Sequence, residues 1–378
     1  MLYRNLGNTG IEVSILGFGA MRLPVIDSKI GKINEKEASR MIYYALDQGV
    51  NFIDTGYTYH NGESEKFLGK ILTTEQRDKV RLATKIPSWN IRSREDLDYY
   101  LEEQLKNLQT ESIDFYLVHN LNQKYWPQLE KADVFEFLDE SLSSGKIKYT
   151  GFSFHDDLEF FLEMVDIYKW DMTLVQYNYM DENYQAGGEG IRYASQKGLG
   201  VAVMEPLRGG ALARAPEDIQ MIWDQSETMH DPVEWAFKFI WDNPDVDLLL
   251  SGMSTLRQVQ DNIKYAKEGH PHVLTDDDKM IIKEVKMAYK ERIMVDCTAC
   301  GYCMPCPEGV NIPKCFMHYN NAKIYDDWEN ESMHYFVLLK DEERASNCSG
   351  CGECENLCPQ MINIKEKLKE VRETFREK

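Results

Sequence analysis

All nine cysteines of this chain lie in its last quarter, and eight of them form two regularly spaced runs. The first run is Cys297, Cys300, Cys303 and Cys306, and the second is Cys348, Cys351, Cys354 and Cys358. Thiolates two residues apart can hold one face of an iron–sulfur cubane. Zinc is the alternative, because two C-x2-C pairs can form a zinc ribbon, but a zinc ion takes four ligands and the runs offer two full sets. The spacing therefore favours two [4Fe-4S] clusters.

The second run has three residues before its fourth cysteine and is followed by Pro359, and it resembles the complete run of bacterial ferredoxins. The first run is one residue shorter. In two-cluster ferredoxins the fourth cysteine of each run binds the other cluster. This resemblance implies that Cys358 completes the first set and Cys306 the second. We expect the ninth cysteine, Cys315, to be a small buried hydrophobic residue, and the alternative is that it replaces Cys306 as a ligand.

Four further residues suit acid–base chemistry at an oxygen atom, namely Asp54, Tyr59, Lys85 and His119. A tyrosine hydroxyl has a pKa of about 10, and a neighbouring lysine ammonium lowers that pKa. An aspartate paired with Lys85 would hold its ammonium group charged and in place. A histidine can donate a hydrogen bond to a carbonyl oxygen. The set suits protonation of an oxygen while a hydride arrives at the adjacent carbon.

Three of these four residues end short apolar runs that predict buried strands, and Tyr59 lies in the loop after the first of them. The sequence contains eight such runs, at residues 14–18, 51–56, 80–86, 114–120, 147–154, 172–179, 199–206 and 247–253. The amphipathic segments between them carry helix-terminal signals: Asn34 with Glu37 suits a capping box, Pro232 a first helical position and Thr255 an N-cap.

Eight strand–helix units in about 260 residues favour a closed (β/α)8 TIM barrel, in which the chemistry lies at the C-terminal ends of the strands. An open doubly wound sheet is the alternative. Such a sheet would ordinarily carry G-x-G-x-x-G after its first strand, and Gly17-Phe18-Gly19 is only a fragment of that pattern. We therefore expect a barrel domain over residues 1–285 and a small, mostly helical dicluster domain over residues 286–378.

Several segments carry a more specific resemblance: LGFGAMRLP, FIDTGYTYHNGESE, LATKIP, DFYLVHN, IKYTGFSF, VQYNYM, EPLRGG and SGMSTLRQVQDN. In their order and spacing, residues 1–290 resemble an aldo/keto reductase. The resemblance implies a barrel that binds NAD(P)H across the strand ends. It also implies a catalytic tetrad of Asp54, Tyr59, Lys85 and His119.

The same resemblance implies a set of cofactor-binding residues on the loops: Gly19, Ala20, Met21, Arg22, Ser153, Gln176, Pro206, Leu207, Arg208, Gly210, Gly252, Met253, Gln258 and Asn262. Ser153 and Gln176 would hold the nicotinamide carboxamide. The turn at residues 206–210 would surround the pyrophosphate, and the loop at residues 252–262 would hold the adenosine end.

The chain departs from the family pattern at two places. Many members have Asn where this chain has Phe154, which cannot hydrogen-bond a carboxamide, so His155 is a candidate replacement. Members that prefer NADPH often carry Lys and Arg for the 2′-phosphate, and Gly252 or Met253 and Gln258 stand at those places here. This predicts that NADH serves at least as well as NADPH, although Arg257 is one position away.

Charge and hydropathy exclude several other classes. The chain of 378 residues has 43 Lys and Arg against 63 Asp and Glu, a net charge of -20, which disfavours binding to nucleic acids and anionic membranes. No apolar run approaches the roughly 20 residues that span a bilayer. The N-terminal residues show no signal-peptide pattern. We therefore expect a cytoplasmic protein.

The sequence predicts an NAD(P)H-dependent oxidoreductase that reduces an aldehyde or ketone to an alcohol. The clusters would be accessory, serving structure, sensing or electron exchange with an external carrier, and no flavin-binding signature is present. The partner would be a small carbonyl or alcohol substrate. The alternatives are a redox-responsive nucleotide-binding protein and an electron-transfer protein that uses the barrel as a dock.

Overall fold

The computed structural model describes residues 1–376 apart from 28, 30, 229, 298 and 359, so Pro359 of the second cysteine run lies outside the described residues. The chain forms two compact units, each made of two segments. The first unit comprises Met1–Gly209 and Val233–Thr275, and the second comprises Gly210–Pro232 and Asp276–Lys378.

The first unit is built around a closed barrel of parallel strands, preceded by an antiparallel hairpin. The hairpin consists of β1 (Tyr3–Asn5) and β2 (Glu12–Ser14). The barrel strands are β3 (Leu16–Gly19), β4 (Phe52–Asp54), β5 (Arg81–Ile86), β6 (Ile113–Leu121), β7 (Ile147–Phe154), β8 (Met172–Gln176), β9 (Gly200–Met204) and β10 (Leu248–Gly252). They follow chain order around the barrel, and β10 closes on β3. The predicted (β/α)8 barrel is confirmed, and each predicted strand overlaps one barrel strand.

The α-helices of the described residues are, in chain order, α1 (Glu35–Asp47), α2 (Glu63–Ile71), α3 (Thr74–Lys79), α4 (Arg94–Asn107), α5 (Trp126–Lys131), α6 (Val134–Ser143), α7 (Leu158–Ile167), α8 (Gly187–Gln196), α9 (Glu217–Trp223), α10 (Pro232–Asp242), α11 (Leu256–Tyr265), α12 (Asp276–Glu291), α13 (Ile312–Ile324), α14 (Trp328–Leu338), α15 (Glu353–Leu357) and α16 (Ile364–Thr374). Short 3-10 turns include Ala20–Arg22, Tyr59–Gly62 and Arg208–Ala213. Among the described residues, no helix is long and apolar enough to cross a membrane.

The predicted helix termini agree with the structure. The Asn34 side chain accepts a hydrogen bond from the backbone of Glu37 at the start of α1. Pro232 is the first residue of α10. Thr255 caps α11 and forms a capping box with Gln258. These polar contacts satisfy backbone N–H groups that the first turn of a helix leaves unpaired.

Alternation along the strands decides which side chains enter the barrel, because successive side chains of a strand point to opposite faces. On β5, Ala83 belongs to the interior cluster of the barrel, whereas Leu82 packs in the layer between barrel and helices. On β6, Phe115 and Leu117 are interior by the same criterion, and Val118 is not. Because the odd-numbered residues of β5 and β6 face the barrel interior, Lys85 and His119 should point towards the barrel axis.

The second unit has a helical core formed by α13, α14 and α16. Phe316 of α13, Tyr335 of α14 and Leu368 of α16 are buried together in it. Cys315 is fully buried in the same core, with its Sγ 3.6 Å from the Tyr335 hydroxyl and 3.5 Å from the Glu343 carbonyl oxygen. The C-terminal region is thus helical, as predicted.

The compact units do not divide at residue 285, because α9 and α12 contact each other within the second unit. Arg292, just after α12, is paired with Asp218 of α9 at 2.7 Å. Asp278 of α12 accepts a hydrogen bond of 3.2 Å from Thr228. Residues 210–232, which lie between two barrel strands in the sequence, therefore belong to the second compact unit. The division into functional domains at residues 1–285 and 286–378 remains a prediction from the sequence.

Candidate functional site

Three of the four predicted catalytic side chains meet at the C-terminal ends of β4 and β5. Lys85 donates from Nζ to Asp54 Oδ1 at 2.6 Å, to the Thr55 carbonyl oxygen at 2.5 Å and to the Tyr59 hydroxyl at 3.3 Å. Lys85 and Asp54 are buried. The 3-10 turn after β4 brings Tyr59 back over the strand end, and the Lys85 ammonium lies 4.8 Å from the Tyr59 ring centroid.

The electrostatics of this group differ in one respect from the sequence-based expectation. Burial raises the pKa of Tyr59, and the Lys85 ammonium opposes that rise without reversing it. Burial alone would lower the pKa of Lys85, but Asp54 and Tyr59 raise it overall. The Lys85 ammonium thus lowers the Tyr59 pKa as expected, but burial outweighs it, so the net shift of the Tyr59 pKa is upward. Tyr59 is protonated at neutral pH and can act as a proton donor.

His119, at the end of β6, lies beside the same group. Its ring centroid is 6.0 Å from that of Tyr59 and 5.0 Å from that of Trp89. Burial lowers its pKa well below the ordinary value, and the Lys85 ammonium and His155 lower it further. Among the described residues, nothing hydrogen-bonds the buried Nδ1 of His119. A neutral imidazole with a buried polar atom left over can hydrogen-bond a substrate oxygen.

Two residues expected to hold the nicotinamide carboxamide have protein partners in this structure. The Ser153 hydroxyl oxygen accepts a hydrogen bond of 2.8 Å from the Asn120 backbone. Gln176 donates from Nε2 to Asp181 Oδ2 at 3.0 Å. The Ser153 hydroxyl keeps its own proton for donation, and Gln176 keeps its carbonyl oxygen as an acceptor.

The two residues after Ser153, Phe154 and His155, have different surroundings. Phe154 is fully buried in the helix layer, with its ring centroid 4.9 Å from that of Phe161. It packs in the layer between barrel and helices and not in the barrel interior. His155 lies close enough to His119 to lower its pKa, and burial lowers the pKa of His155 itself.

Asp181 is a polar centre that the sequence analysis missed. Its Oδ2 accepts hydrogen bonds of 3.0 Å from both Gln176 and Asn178, and it lies 3.3 Å from Nε of Arg208. Asp181 thereby connects the end of β8 with the turn after β9. The only signal in the sequence was an acidic residue, Asp181, three positions after Asn178. Its partner on the turn after β9, Arg208, can be recognised only in the folded structure.

The predicted pyrophosphate turn begins at the end of β9. Pro206 and Leu207 lie between Glu205 and Arg208, which are joined by a backbone hydrogen bond of 3.0 Å. Gly209 has a positive φ of 69°, which glycine adopts without strain. Gly210, also predicted to contact the cofactor, is the first residue of the second unit's segment.

The loops after β3 and β10 form the neighbouring edge of the barrel mouth. Gly19 ends β3, buried Ala20 follows it, and Met21 and Arg22 are exposed. A Cβ added at Gly252 would lie 3.1 Å from the Arg22 side chain, and one added at Gly209 would lie 3.5 Å from Nη2 of Arg22. The absence of side chains at Gly209 and Gly252 leaves space beside the exposed Arg22 guanidinium. This combination fits a phosphate-bearing ligand.

The residues predicted to bind the adenosine end differ in exposure and in their hydrogen-bond partners. Met253 is buried, and Asn262 donates a hydrogen bond of 3.1 Å to the buried Ser251 hydroxyl. The Gln258 amide oxygen accepts from the backbone of Ser254 and Thr255 in the α11 cap. Gln258 therefore serves the helix terminus, whereas the exposed Arg257 lies 3.4 Å from Asp261.

Seven cysteines of the two runs fall into two neighbourhoods of the second unit. Three cysteines of the first run share a pocket with the last cysteine of the second run; its lining includes Cys297, Cys300, Cys303, Cys358, Ile312 and Phe316. In the thiol form, burial raises the pKa of Cys303, and Cys297 and Cys358 raise it further.

The second neighbourhood surrounds Cys354. Burial raises its pKa to about 11, with contributions from Glu355, Cys348 and Cys306. Four thiols around a small apolar pocket fit one iron–sulfur cluster, and Cys306, Cys348 and Cys354 are three of the four ligands that a second cluster takes. This grouping supports the exchange of fourth ligands implied by the ferredoxin resemblance.

The fold and the site together define an oxidoreductase-type (β/α)8 barrel joined to a cysteine-rich helical module. The model of the Aldo/keto reductase family matches residues 15–286, and that of a 4Fe-4S dicluster domain matches residues 296–364. The chain belongs to the aldo/keto reductase family and carries a C-terminal 4Fe-4S dicluster domain. Both resemblances seen in the sequence are confirmed.

Individual relatives agree with this assignment. An uncharacterized oxidoreductase, YrpG of Bacillus subtilis, is 28% identical over 306 residues, covering 70% of this chain and 90% of YrpG. L-galactose dehydrogenase of Arabidopsis thaliana is 27% identical over 289 residues, covering 70% and 88%. The holo form of aldo-keto reductase AKR11C1 from Bacillus halodurans superimposes with a TM-score of 0.63 at 25% identity, covering 75% of this chain and 96% of that one.

Proposed function

We propose that the barrel catalyses the NAD(P)H-dependent reduction of an aldehyde or ketone to an alcohol. The observation that carries the proposal is the contact of Lys85 with both Asp54 and Tyr59 at the C-terminal strand ends. Membership of the aldo/keto reductase family supports it, as does the relative named L-galactose dehydrogenase.

The side chains suggest how each group acts. Bound NAD(P)H supplies the hydride for the carbonyl carbon. The Tyr59 hydroxyl donates its proton to the carbonyl oxygen, and the Lys85 ammonium stabilises the phenolate that remains. Asp54 keeps Lys85 protonated. Neutral His119 orients the carbonyl oxygen by a hydrogen bond.

A pair of tyrosines in one loop tests the proposal. Tyr59→Phe removes the proton donor and should lower carbonyl reduction by at least 100-fold, as loss of a general acid does (about 10²–10⁴). Tyr57→Phe is the matched control, because the Tyr57 hydroxyl donates to Glu103 of α4 at 3.0 Å and not to the Lys85 group. NAD(P)H oxidation with a panel of aldehydes and ketones gives the rates. Near-equal rates for the two variants would contradict the proposal.

The proposed preference between NADH and NADPH rests on the uncharged residues predicted to hold the adenosine end of the cofactor. We propose that NADH serves at least as well as NADPH, because Gly252, Met253 and Gln258 offer no cation for a 2′-phosphate. The ratio of kcat/KM values for the two cofactors measures this directly. A preference for NADPH of more than about tenfold, equivalent to about 1.4 kcal/mol, would refute it and point to Arg257 or Arg208, or to Arg22 beside Gly252.

The second unit is proposed to hold two [4Fe-4S] clusters. The first would use Cys297, Cys300, Cys303 and Cys358, and the second would use Cys306, Cys348, Cys351 and Cys354. Their roles would be structural, sensory or the exchange of electrons with a separate carrier.

A further inference from the structure

Glu65 is a buried carboxylate that the tetrad does not include. It lies on α2 with none of its surface exposed. Its Oε1 accepts hydrogen bonds of 2.6 Å from both the Thr84 hydroxyl and Gln104 Nε2, and its Oε2 accepts a longer one of 3.5 Å from Asn107. Every group that contacts the carboxylate through these bonds is a donor. A surrounding of donors suits the ionised form, which only accepts hydrogen bonds.

The bonds of Glu65 lead to the backbone of Lys85. Thr84 precedes Lys85 on β5, and the alternation of the strand points Thr84 towards the helices while Lys85 enters the barrel. Gln104 Nε2, which donates to Glu65, lies 3.1 Å from the Lys85 carbonyl oxygen. The carboxylate thus stands directly behind the strand end that carries the active-site ammonium.

We propose that Glu65 is a positioning residue for the Lys85–Tyr59 pair, a proposal that rests on the proposed function of the barrel. Through Thr84 and Gln104 it fixes the end of β5. Through its negative charge it favours the protonated form of Lys85, the ammonium group that contacts the Tyr59 hydroxyl. The site therefore contains a second buried anion, behind the strand, in addition to Asp54.

The charged and titratable neighbours of Glu65 are Lys85 of β5 and Tyr116 of β6. Tyr116 is neutral, because burial and Glu65 raise its pKa well above the ordinary value, and its hydroxyl donates to Gln104 Oε1 at 2.7 Å. Burial raises the pKa of Glu65 overall, and the bonds from Thr84 and Gln104 and the charge of Lys85 reduce that rise without reversing it. Within the part of the chain that the structure describes, Asp54, His119 and Glu205 are the other titratable groups that act on the Lys85–Tyr59 pair.

Glu65→Gln tests the charge and spares the geometry, because glutamine retains Oε1 as the acceptor for Thr84 and Gln104. The pH dependence of kcat/KM for carbonyl reduction should change: its alkaline limb should move to lower pH by roughly half a pH unit or more, since an anion that opposed deprotonation is gone. Glu102→Gln is the matched control. It removes the same charge from an exposed position on α4, where Glu102 pairs with Lys146, and its pH profile should superimpose on that of the wild type.

A measurement without turnover separates this proposal from the proposed function. In the wild type at neutral pH, the infrared difference against Glu65→Gln should contain no band of a protonated glutamic acid. Such a band, or identical pH profiles for Glu65→Gln and the wild type, would overturn the proposal. If the wild type reduces no carbonyl compound, the proposed function fails, and the infrared band alone decides the charge of Glu65. If Glu65→Gln does not fold, Glu65→Asp replaces it: the charge is kept, so the alkaline limb should stay at the wild-type pH, while the shorter side chain weakens the bonds to Thr84 and Gln104 and should lower kcat/KM. A shifted alkaline limb would overturn the proposal.

Discussion

Lys85 and Asp54 form an ion pair that is almost completely buried, with 2.6 Å between Nζ and Oδ1 and side chains that are 1% and 6% exposed. Such a pair stabilises a fold little compared with an apolar replacement, but removing one partner leaves the other charge buried and uncompensated. Its position at the strand ends, in contact with Tyr59, favours a catalytic explanation for its presence.

Asp54→Asn should separate these effects. The variant leaves the Lys85 ammonium without its counter-charge, so the free energy of unfolding should fall by about 3–5 kcal/mol. Carbonyl reduction should fall as well, because the pKa of Lys85 drops and the ammonium no longer assists Tyr59. Chemical denaturation and steady-state rates measure the two losses.

Asp98→Asn is the control for Asp54→Asn. Asp98 pairs with Arg94 one turn away on α4 and is 59% exposed. Loss of a pair of this kind should cost no more than about 0.5 kcal/mol. Equal losses of stability in the two variants would show that the Lys85–Asp54 pair is solvated in solution.

His119 should make the barrel sensitive to mild acid. Its pKa is lowered in the folded protein, so below about pH 6.5 the unfolded chain binds a proton that the folded protein does not. The stability due to a neutral His119 is therefore complete above the ordinary histidine pKa. It is lost as the pH falls, by up to about 1.4 kcal/mol per pH unit, until the lowered pKa is reached.

His119→Asn removes this titration. Thermal midpoints of the wild type and the variant should converge as the pH is lowered from about 7.5 to about 5.5. Parallel curves over that range would mean that His119 titrates alike in the folded and unfolded states.

Much of the barrel was predictable from the sequence, because eight apolar runs with polar ends leave few alternatives to eight buried strands. The run at residues 147–154 matches β7 (Ile147–Phe154) at both ends. The hairpin of β1 and β2 was not predicted, since two strands of three residues each give too short a period-two pattern.

The functional residues fall into two groups: those that a strand pattern marks in the sequence and those that only tertiary contacts reveal. Asp54, Lys85 and His119 were found because each ends a strand of recognisable pattern. Asp181 and Glu65 were not, since one lies in a loop and the other on a helix, and only tertiary packing gives them their partners. Burial at the strand ends also outweighed the effect of Lys85 on Tyr59, and a sequence carries no measure of that competition.

The ninth cysteine offers a sharp test of the cluster ligands. Cys306→Ser should remove one cluster, lowering the iron content from about 8 to about 4 per chain in protein purified without oxygen. Cys315→Ser should keep both clusters, because the Cys315 thiol lies in the helical core beside Tyr335. Iron and acid-labile sulfide assays give the counts. Loss of iron in the Cys315 variant alone would exchange the two assignments, and stoichiometric zinc without sulfide would exclude clusters altogether.

The clusters should not lie on the path between NAD(P)H and the carbonyl. Hydride transfer moves two electrons in one step, whereas a cubane exchanges one electron at a time, and splitting a hydride into single electrons is chemistry that flavins supply. Cys351 is an exposed cysteine of the second run, so Cys351→Ser should disturb one cluster without disturbing the barrel. Assayed anaerobically, this variant should keep kcat for carbonyl reduction within about twofold, well under the tenfold change that 1.4 kcal/mol represents. In the wild type, NADH alone should leave the visible absorbance of the clusters unchanged, whereas dithionite, which reduces the clusters, should lower that absorbance. Rapid loss of the absorbance on addition of NADH without flavin would show direct electron transfer and refute the prediction.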